Sequence, residues 1–210
     1  MTSNSTHPSN ARGLIDRLST SAYRRSILDG ITAALKDSSP VNQALDFGAG
    51  DGFFAANLPQ LTAIEQVTPI DVVERISSWV KPMLYDGGRL PFDDRSFDLC
   101  YAIDVLHHCP DPLAALAEMM RCTRRYLLIK DHNHNGPLGR VVLAVLDELG
   151  NRRFGIPSPQ HYQQRWAWVD WIESQGFVRR HWSHPMACHR GVLASTNSLQ
   201  FLGLWARQHD

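Results

Sequence analysis

The chain has 210 residues, of which 43% are hydrophobic and 20% charged. That suits one folded domain with a short appendage and excludes a disordered chain. Lys and Arg (21) balance Asp and Glu (21) at a pI near 7.2, so the basic footprint of a nucleic-acid or membrane-surface binder is missing. The late uncharged run 191–206 holds Ser195, Thr196, Asn197, Ser198 and Gln200, too polar for a membrane span, and the first residues lack the apolar stretch of a secretory signal. Residues 1–10 are expected to be a disordered lead-in, and residues 11–210 a single domain. Cys100, Cys109, Cys122 and Cys188 form no Cys-x-x-Cys pair, so free thiols in a cytoplasmic protein are expected.

Tyr23, Ile27, Ile31 and Leu35 recur at helical steps, which predicts an amphipathic helix over 20–36. A short strand follows at 44–47, then a glycine cluster, a helix over 53–61 and a strand over 66–72. Residues 97–103 predict a strand. Residues 112–122 predict a helix with Leu113, Leu116 and Met120 on one face, and 125–130 another strand. This alternation means βαβ units and a parallel sheet covered by helices. Helices near 138–149 and 160–175 come next. Strands near 177–182 and 198–206 close the chain, the last returning antiparallel.

The sharpest signal is Asp46-Phe47-Gly48-Ala49-Gly50-Asp51-Gly52 between a strand and a helix. Glycines permit a tight turn and a close backbone approach to a ligand, and a side chain at Gly50 should block one. The dinucleotide pattern Gly-x-Gly-x-x-Gly fails from Gly48, because Phe53 holds its last position. From Gly50 it survives only with Ala55 in that place. Asp46 and Asp51 would repel a pyrophosphate, and no Gly-Lys-Ser/Thr of a P-loop is present. Asp71 follows at a strand end, near the ~20-residue spacing at which an acid receives ribose hydroxyls. Asp86, in Tyr85-Asp86-Gly87-Gly88, ends another short strand. Taken singly these acids read as loop or cap residues; together they mark the carboxyl edge of one sheet as a ligand site.

Here the sequence resembles the class I S-adenosylmethionine-dependent methyltransferases, of the small-molecule type. The resemblance covers residues 40–131. Leu45 to Gly52 looks like the family's first motif, and Asp71 stands where its ribose-binding acid stands. Asp86 with Leu90 to Asp98 is similar to the stretch that holds the adenine ring. Val105-Leu106-His107-His108 with Pro110-Asp111-Pro112 resembles the segment after the fourth strand. Cys122-Thr123-Arg124-Arg125 stands where the family often has Pro-Gly-Gly. The resemblance implies a Rossmann-like doubly wound sheet of about seven strands, with a helical cap inserted after the fifth. It implies S-adenosyl-L-methionine as cofactor, held by Asp46, Gly48, Gly50, Gly52, Asp71, Val72, Asp86, Gly87, Ile103 and His108.

The acceptor is expected under residues 132–166, a long connection that holds His132, His134, Phe154, Tyr162 and Trp166; of these His134, Tyr162 and Trp166 are the substrate candidates. Trp168, Trp171 and Ile172 read as a buried helix face, with Trp166 off it. His132 and His108, each following a strand of the sheet, are the candidate catalytic groups, with His132 as the base. No metal is expected: the histidine groups lack zinc-site spacing, and adjacent His107 and His108 cannot share an ion from a regular helix. Methyl transfer to an oxygen or nitrogen of a small molecule is the leading expectation. A cofactor-binding module without turnover and a nicotinamide-dependent oxidoreductase are the alternatives.

Overall fold

The computed structural model describes residues 22–75, 78–151 and 159–208. The expected lead-in over 1–10, and Phe154 within the expected cap, lie outside the described residues. The elements are α1 (Ala22–Leu35), β1 (Val41–Phe47), α2 (Phe53–Leu61), β2 (Ile64–Asp71), β3 (Met83–Leu84) and β4 (Phe97–Ile103). There follow α3 (Pro112–Cys122), β5 (Thr123–His134), α4 (Pro137–Asn151), β6 (Gln163–Gln164), α5 (Ala167–Ser174), β7 (Phe177–Ser183) and β8 (Gln200–Arg207).

The strands lie in the order β3-β2-β1-β4-β5-β8-β7, with β6 added to β5. Pairings from β3 to β5 are parallel, and β8 runs antiparallel to both β5 and β7. Successive residues face opposite sides of the sheet. Ala44, Leu99, Tyr101 and Leu128 therefore pack against Ile27, Ile31 and Leu35 of α1 and Phe53 and Leu58 of α2. Leu45, Phe47, Cys100 and Leu127 pack against Leu116 and Met119 of α3 and Trp168 and Ile172 of α5. This is the doubly wound, Rossmann-like arrangement, with the last strand antiparallel as the sequence predicts.

The chain leaves β1 toward β2 and β3, then returns to place β4 on β1's other side. At such a reversal a crevice opens outside the carboxyl ends of the two strands. The glycine loop after β1 and the turn Leu106–His108 after β4 flank that crevice. Asp111 fixes the start of α3: its carboxylate accepts from the Leu113 and Ala114 amides, both at 3.0 Å, with Pro112 in the first turn.

Three expectations are corrected. Leu113 is 41% exposed, because Leu116, Met119 and Met120 already fill the face of α3 that meets the sheet. β5 runs to His134, not to 130, because β8 pairs it as far as His132 and β6 pairs Asn133 and His134. His132 and His134 are thus strand residues. Finally, 160–166 is not helical: Gln160, Arg165 and Trp166 have positive φ, the backbone is taken up by β6, and Arg165 N–H donates to the His134 carbonyl at 3.1 Å.

Candidate active site

Gly48, Gly50 and Gly52 hold φ of 70°, 62° and 73°, in the left-handed region that glycine enters without penalty. A Cβ on Gly48 would overlap the Val105 side chain, and one on Gly52 the Val80 backbone. The loop is tied to β2: the Gly48 and Ala49 amides donate to the Ile70 carbonyl at 2.9 and 3.0 Å. Asp71 Oδ2 accepts from the Gly50 amide at 2.7 Å, and Oδ1 from the Val72 and Val73 amides at 2.7 and 3.1 Å. Arg24 of α1 reaches the loop through a 2.8 Å ion pair with Asp51. Beyond it, Val72 is exposed and faces Gly87, whose φ is 85°. Asp86 is exposed and accepts from the Gly88 amide at 2.9 Å, so it lies in a turn two residues past β3, not at the strand's end. Ile103 closes β4, half buried against the α1 side of the core.

Asp46 departs from the sequence reading. It is 2% exposed, beneath the loop and beside Tyr101 of β4. Burial lifts its carboxyl from 3.8 to about 8, against the lowering pull of Tyr101 and the Ala55 amide, and with Asp71 adding to the rise. At neutral pH it is held protonated, so it is not the anion that the repulsion argument assumed. Below about pH 3.8 it is protonated folded and unfolded alike and costs nothing; stability falls as pH climbs from there to about 8. Asp46→Asn is therefore expected to raise unfolding free energy by about 2–5 kcal/mol at pH 8, at ~1.4 kcal/mol per pH unit, and by about none at pH 4. Urea melts at the two pH values measure it; a gain equal at both would remove the assigned protonation.

Among the described residues, a dense polar group stands at the carboxyl ends of β4 and β5. Asp131, fully buried, accepts through Oδ1 from His107 Nδ1 at 2.6 Å, His132 Nδ1 at 3.1 Å and the His132 amide at 2.8 Å; Oδ2 accepts from the Leu106 amide at 3.1 Å. Burial would raise its pKa, but His107 and His132 hold it well below the usual range. For His107 burial pulls down and Asp131 pulls up, and the result is about 10. Burial dominates at His132 and lowers it, despite its bond to Asp131. Beside them, fully buried Lys130 donates to Asp104 Oδ1 and Tyr23 Oη, both at 2.5 Å, and to Gln200 Oε1 at 2.7 Å.

The other candidates are spread around this group. His108 approaches Asp147 of α4, Nε2 to Oδ1, at 3.6 Å. Tyr162 donates to Asp147 Oδ2 at 3.1 Å, and its ring lies 5.3 Å from that of His107. His134 is buried and bonds the Gly136 carbonyl at 3.1 Å. Trp166 packs on Trp182, His184 and Phe201. The sequence assigns no site role to His107, Asp131, Asp147, Asp104 or Lys130. The available signal was the run Lys130 to His134, too polar to continue a core strand for packing reasons alone.

Residues 45–126 match a family described as "Methyltransferase domain". Residues 45–126 carry a methyltransferase domain. The domain is similar to malonyl-[acyl-carrier protein] O-methyltransferase of Serratia marcescens, 33% identical over 92 residues, 41% of this chain and 36% of that one. It is also similar to demethylmenaquinone methyltransferase of Renibacterium salmoninarum, 28% identical over 181 residues, covering 75% and 73% of the two chains. The chain thus spans little more than a third of the Serratia protein's length. In fold it matches magnesium protoporphyrin IX methyltransferase of Synechocystis PCC 6803, solved with bound SAH, at a TM-score of 0.59 and 17% identity over 98% of this chain and 90% of that one. The methyltransferase domain's loop fits the cofactor: three positive-φ glycines bring bare backbone to the crevice, and Asp71 stands at its rim. No described helix is long and apolar enough to cross a membrane.

Proposed function

We propose that the chain transfers a methyl group from S-adenosylmethionine to an oxygen or nitrogen of a small-molecule acceptor placed against His132. The observation that carries this reading is the position of His132 on the same sheet edge as the glycine loop, with Asp131 fixed behind it. Bound there, the cofactor supplies a methyl group already activated by its sulfonium. The protein's own task is to hold an acceptor in line and to take a proton from it. Asp131 accepts the Nδ1 proton of His132, so Nε2 is the atom that takes a proton. The His132 side chain is 13% exposed, whereas that of His107 is 2% exposed; His132 is the one within an acceptor's reach.

Gly48, Gly50, Gly52, Asp71, Val72, Asp86, Gly87 and Ile103 would hold the cofactor. Asp46 supports the loop from beneath. Tyr162, whose ring lies 6.1 Å from that of His132, lines the acceptor side; Trp166 and His134 bound that side farther along β5. An oxygen acceptor agrees with the Serratia relative, which is named as an O-methyltransferase.

The test has two arms. Calorimetry with S-adenosylhomocysteine checks the cofactor site, and a mass screen for the gain of one CH2 finds an acceptor. On that acceptor His132→Ala should lower kcat by about 10²–10⁴-fold, the contribution of a positioned base, with cofactor affinity within about twofold. Unchanged turnover would remove His132 as the base. Tight cofactor binding with no acceptor methylated would favour a binding module.

A further inference from the structure

We propose, on the reading of His132 as the base, that Asp104 is a positioning residue whose carboxylate stabilises the imidazolium formed when His132 takes the acceptor's proton. Asp104 follows β4 with a φ of 52°, in the left-handed region that Asp enters more readily than most residues. Its amide donates to the Lys130 carbonyl at 2.8 Å, and its carboxylate lies across the end of β5. Asp104 Oδ1 stands 3.8 Å from His132 Nε2, too long for a hydrogen bond but within ion-pair reach. The imidazole thus lies between two carboxylates, with Asp131 Oδ1 3.1 Å from Nδ1.

Two other side chains hold Asp104 in place. Lys130 Nζ donates to Oδ1 at 2.5 Å, and Tyr23 Oη to Oδ2 at 2.7 Å. Tyr23, on α1, is itself stacked on His189, with ring centres 4.7 Å apart. Burial would lift the Asp104 carboxyl, but Lys130 and then His132 hold it below its ordinary range. An ionised carboxylate only accepts hydrogen bonds. Asp104 therefore gives a neutral ring with a bare Nε2 nothing to bind, and gives the imidazolium a charge partner. That difference acts on the charge that develops as the proton arrives, so it lowers the barrier rather than tightening the ground state.

The acceptor's lone pair bonds the methyl carbon, the electrons of the broken carbon–sulfur bond stay on sulfur, and the acceptor's proton goes to His132 Nε2 and then to solvent. Several groups face the ring while it carries that proton. Asp131 and Lys130 belong to its own strand. His107, on the turn after β4, and Tyr162, before β6, present rings 4.8 and 6.1 Å away. His189, between β7 and β8, has its own protonation opposed by His132, and Asp147 of α4 faces His107 and His108. Burial, Lys130 and His107 oppose the charged His132 ring, whereas Asp131 and Asp104 favour it. Asp131 takes the Nδ1 side, and Asp104 is the carboxylate on the side where the proton arrives.

The His132 ring is titrated by NMR in the full chain labelled at its histidines, with His132→Gln to assign the signal. Asp104→Asn is expected to lower the His132 pKa by at least ~1 pH unit, since one charge a few ångströms away is removed. That variant leaves Lys130 buried without its anion. Lys130→Met and the double variant Lys130→Met with Asp104→Asn therefore repeat the comparison with no buried cation, and the double variant should again titrate at least ~1 unit lower. Circular dichroism checks each fold. On the acceptor found by the mass screen, Asp104→Asn should move the acid limb of kcat to lower pH by the same amount and lower kcat on the plateau at least ~10-fold. A His132 pKa that stays put in both comparisons would overturn the proposal, and so would a shifted pKa with an unmoved kcat–pH profile. Full turnover by His132→Ala would sink the base itself, while the titration still reports whether Asp104 partners the ring, so the two failures are told apart.

Discussion

Gly52→Val is expected to abolish S-adenosylhomocysteine binding, with a loss of at least ~100-fold, and to lower the melting temperature as well. Gly52 sits at φ 73°, and a Cβ there would overlap the Val80 carbonyl oxygen and amide nitrogen. Left-handed backbone costs an L-residue about 1–2 kcal/mol, and a β-branched one more. The opposing atoms are backbone, so they yield only if the segment after β2 is pushed off the loop, with loss of the 2.6 Å bond from the Trp79 amide to the Asp51 carbonyl. Gly50 differs: its Cβ would meet the Arg75 guanidinium at 3.1 Å, the movable end of a long side chain. Gly50→Ala should therefore bind the cofactor more tightly than Gly52→Ala. Sequence alone singles out Gly50; the packing ranks Gly52 above it. Calorimetry beside a thermal melt tests both points, and a Gly52→Val protein that binds within about threefold of wild type would show that the loop does not cradle the cofactor.

The largest loss of stability is expected at Lys130. Its side chain is 0% exposed, and its ammonium donates to Asp104, Tyr23 and Gln200. Lys130→Met keeps the stem but leaves Asp104 without its cation and two polar side chains without a donor. Breaking one side of a buried pair costs about 3–5 kcal/mol. Asp104 retains 22% exposure, so water relieves part of the loss and the lower end, about 3 kcal/mol, is expected. At ~2–4 °C per kcal/mol for a chain of this size, the melting point should fall by roughly 6–12 °C. Adding Asp104→Asn should recover part of that, since a neutral amide no longer needs the cation. A single variant as stable as wild type, or a double variant less stable than the single, would remove the pair as a stabilising element.

Much of the scaffold was legible because it is local. The apolar stripe of α1, the runs of α2, β4 and α3, and the clustered glycines each depend on neighbours within a few positions, and periodicity reports those neighbours directly. Asp71 was legible for the same reason, since strand end and spacing together place it on the carboxyl edge. The polar tail of β5 beyond Lys130 was not, because Asp131, His132 and Asn133 have no apolar alternation; they are strand residues only because β8 and β6 supply hydrogen bonds from later in the chain. The non-helical path of 160–166 has the same origin.

By itself the sequence determined the alternating architecture, the glycine loop, the acid at the end of β2 and the likeness to methyltransferases. The tertiary structure alone decided which side chains meet and what charge they carry. His107 and Asp147 converge because α4 folds back over the turn after β4, and nothing in the spacing along the chain records that approach. Asp46 is neutral because it is buried beside Tyr101, and the His132 ring is oriented by Asp131, whose Oδ1 lies 3.1 Å from its Nδ1. Charge state follows local dielectric and partners within a few ångströms, and for these residues strands and helices remote in sequence supply both.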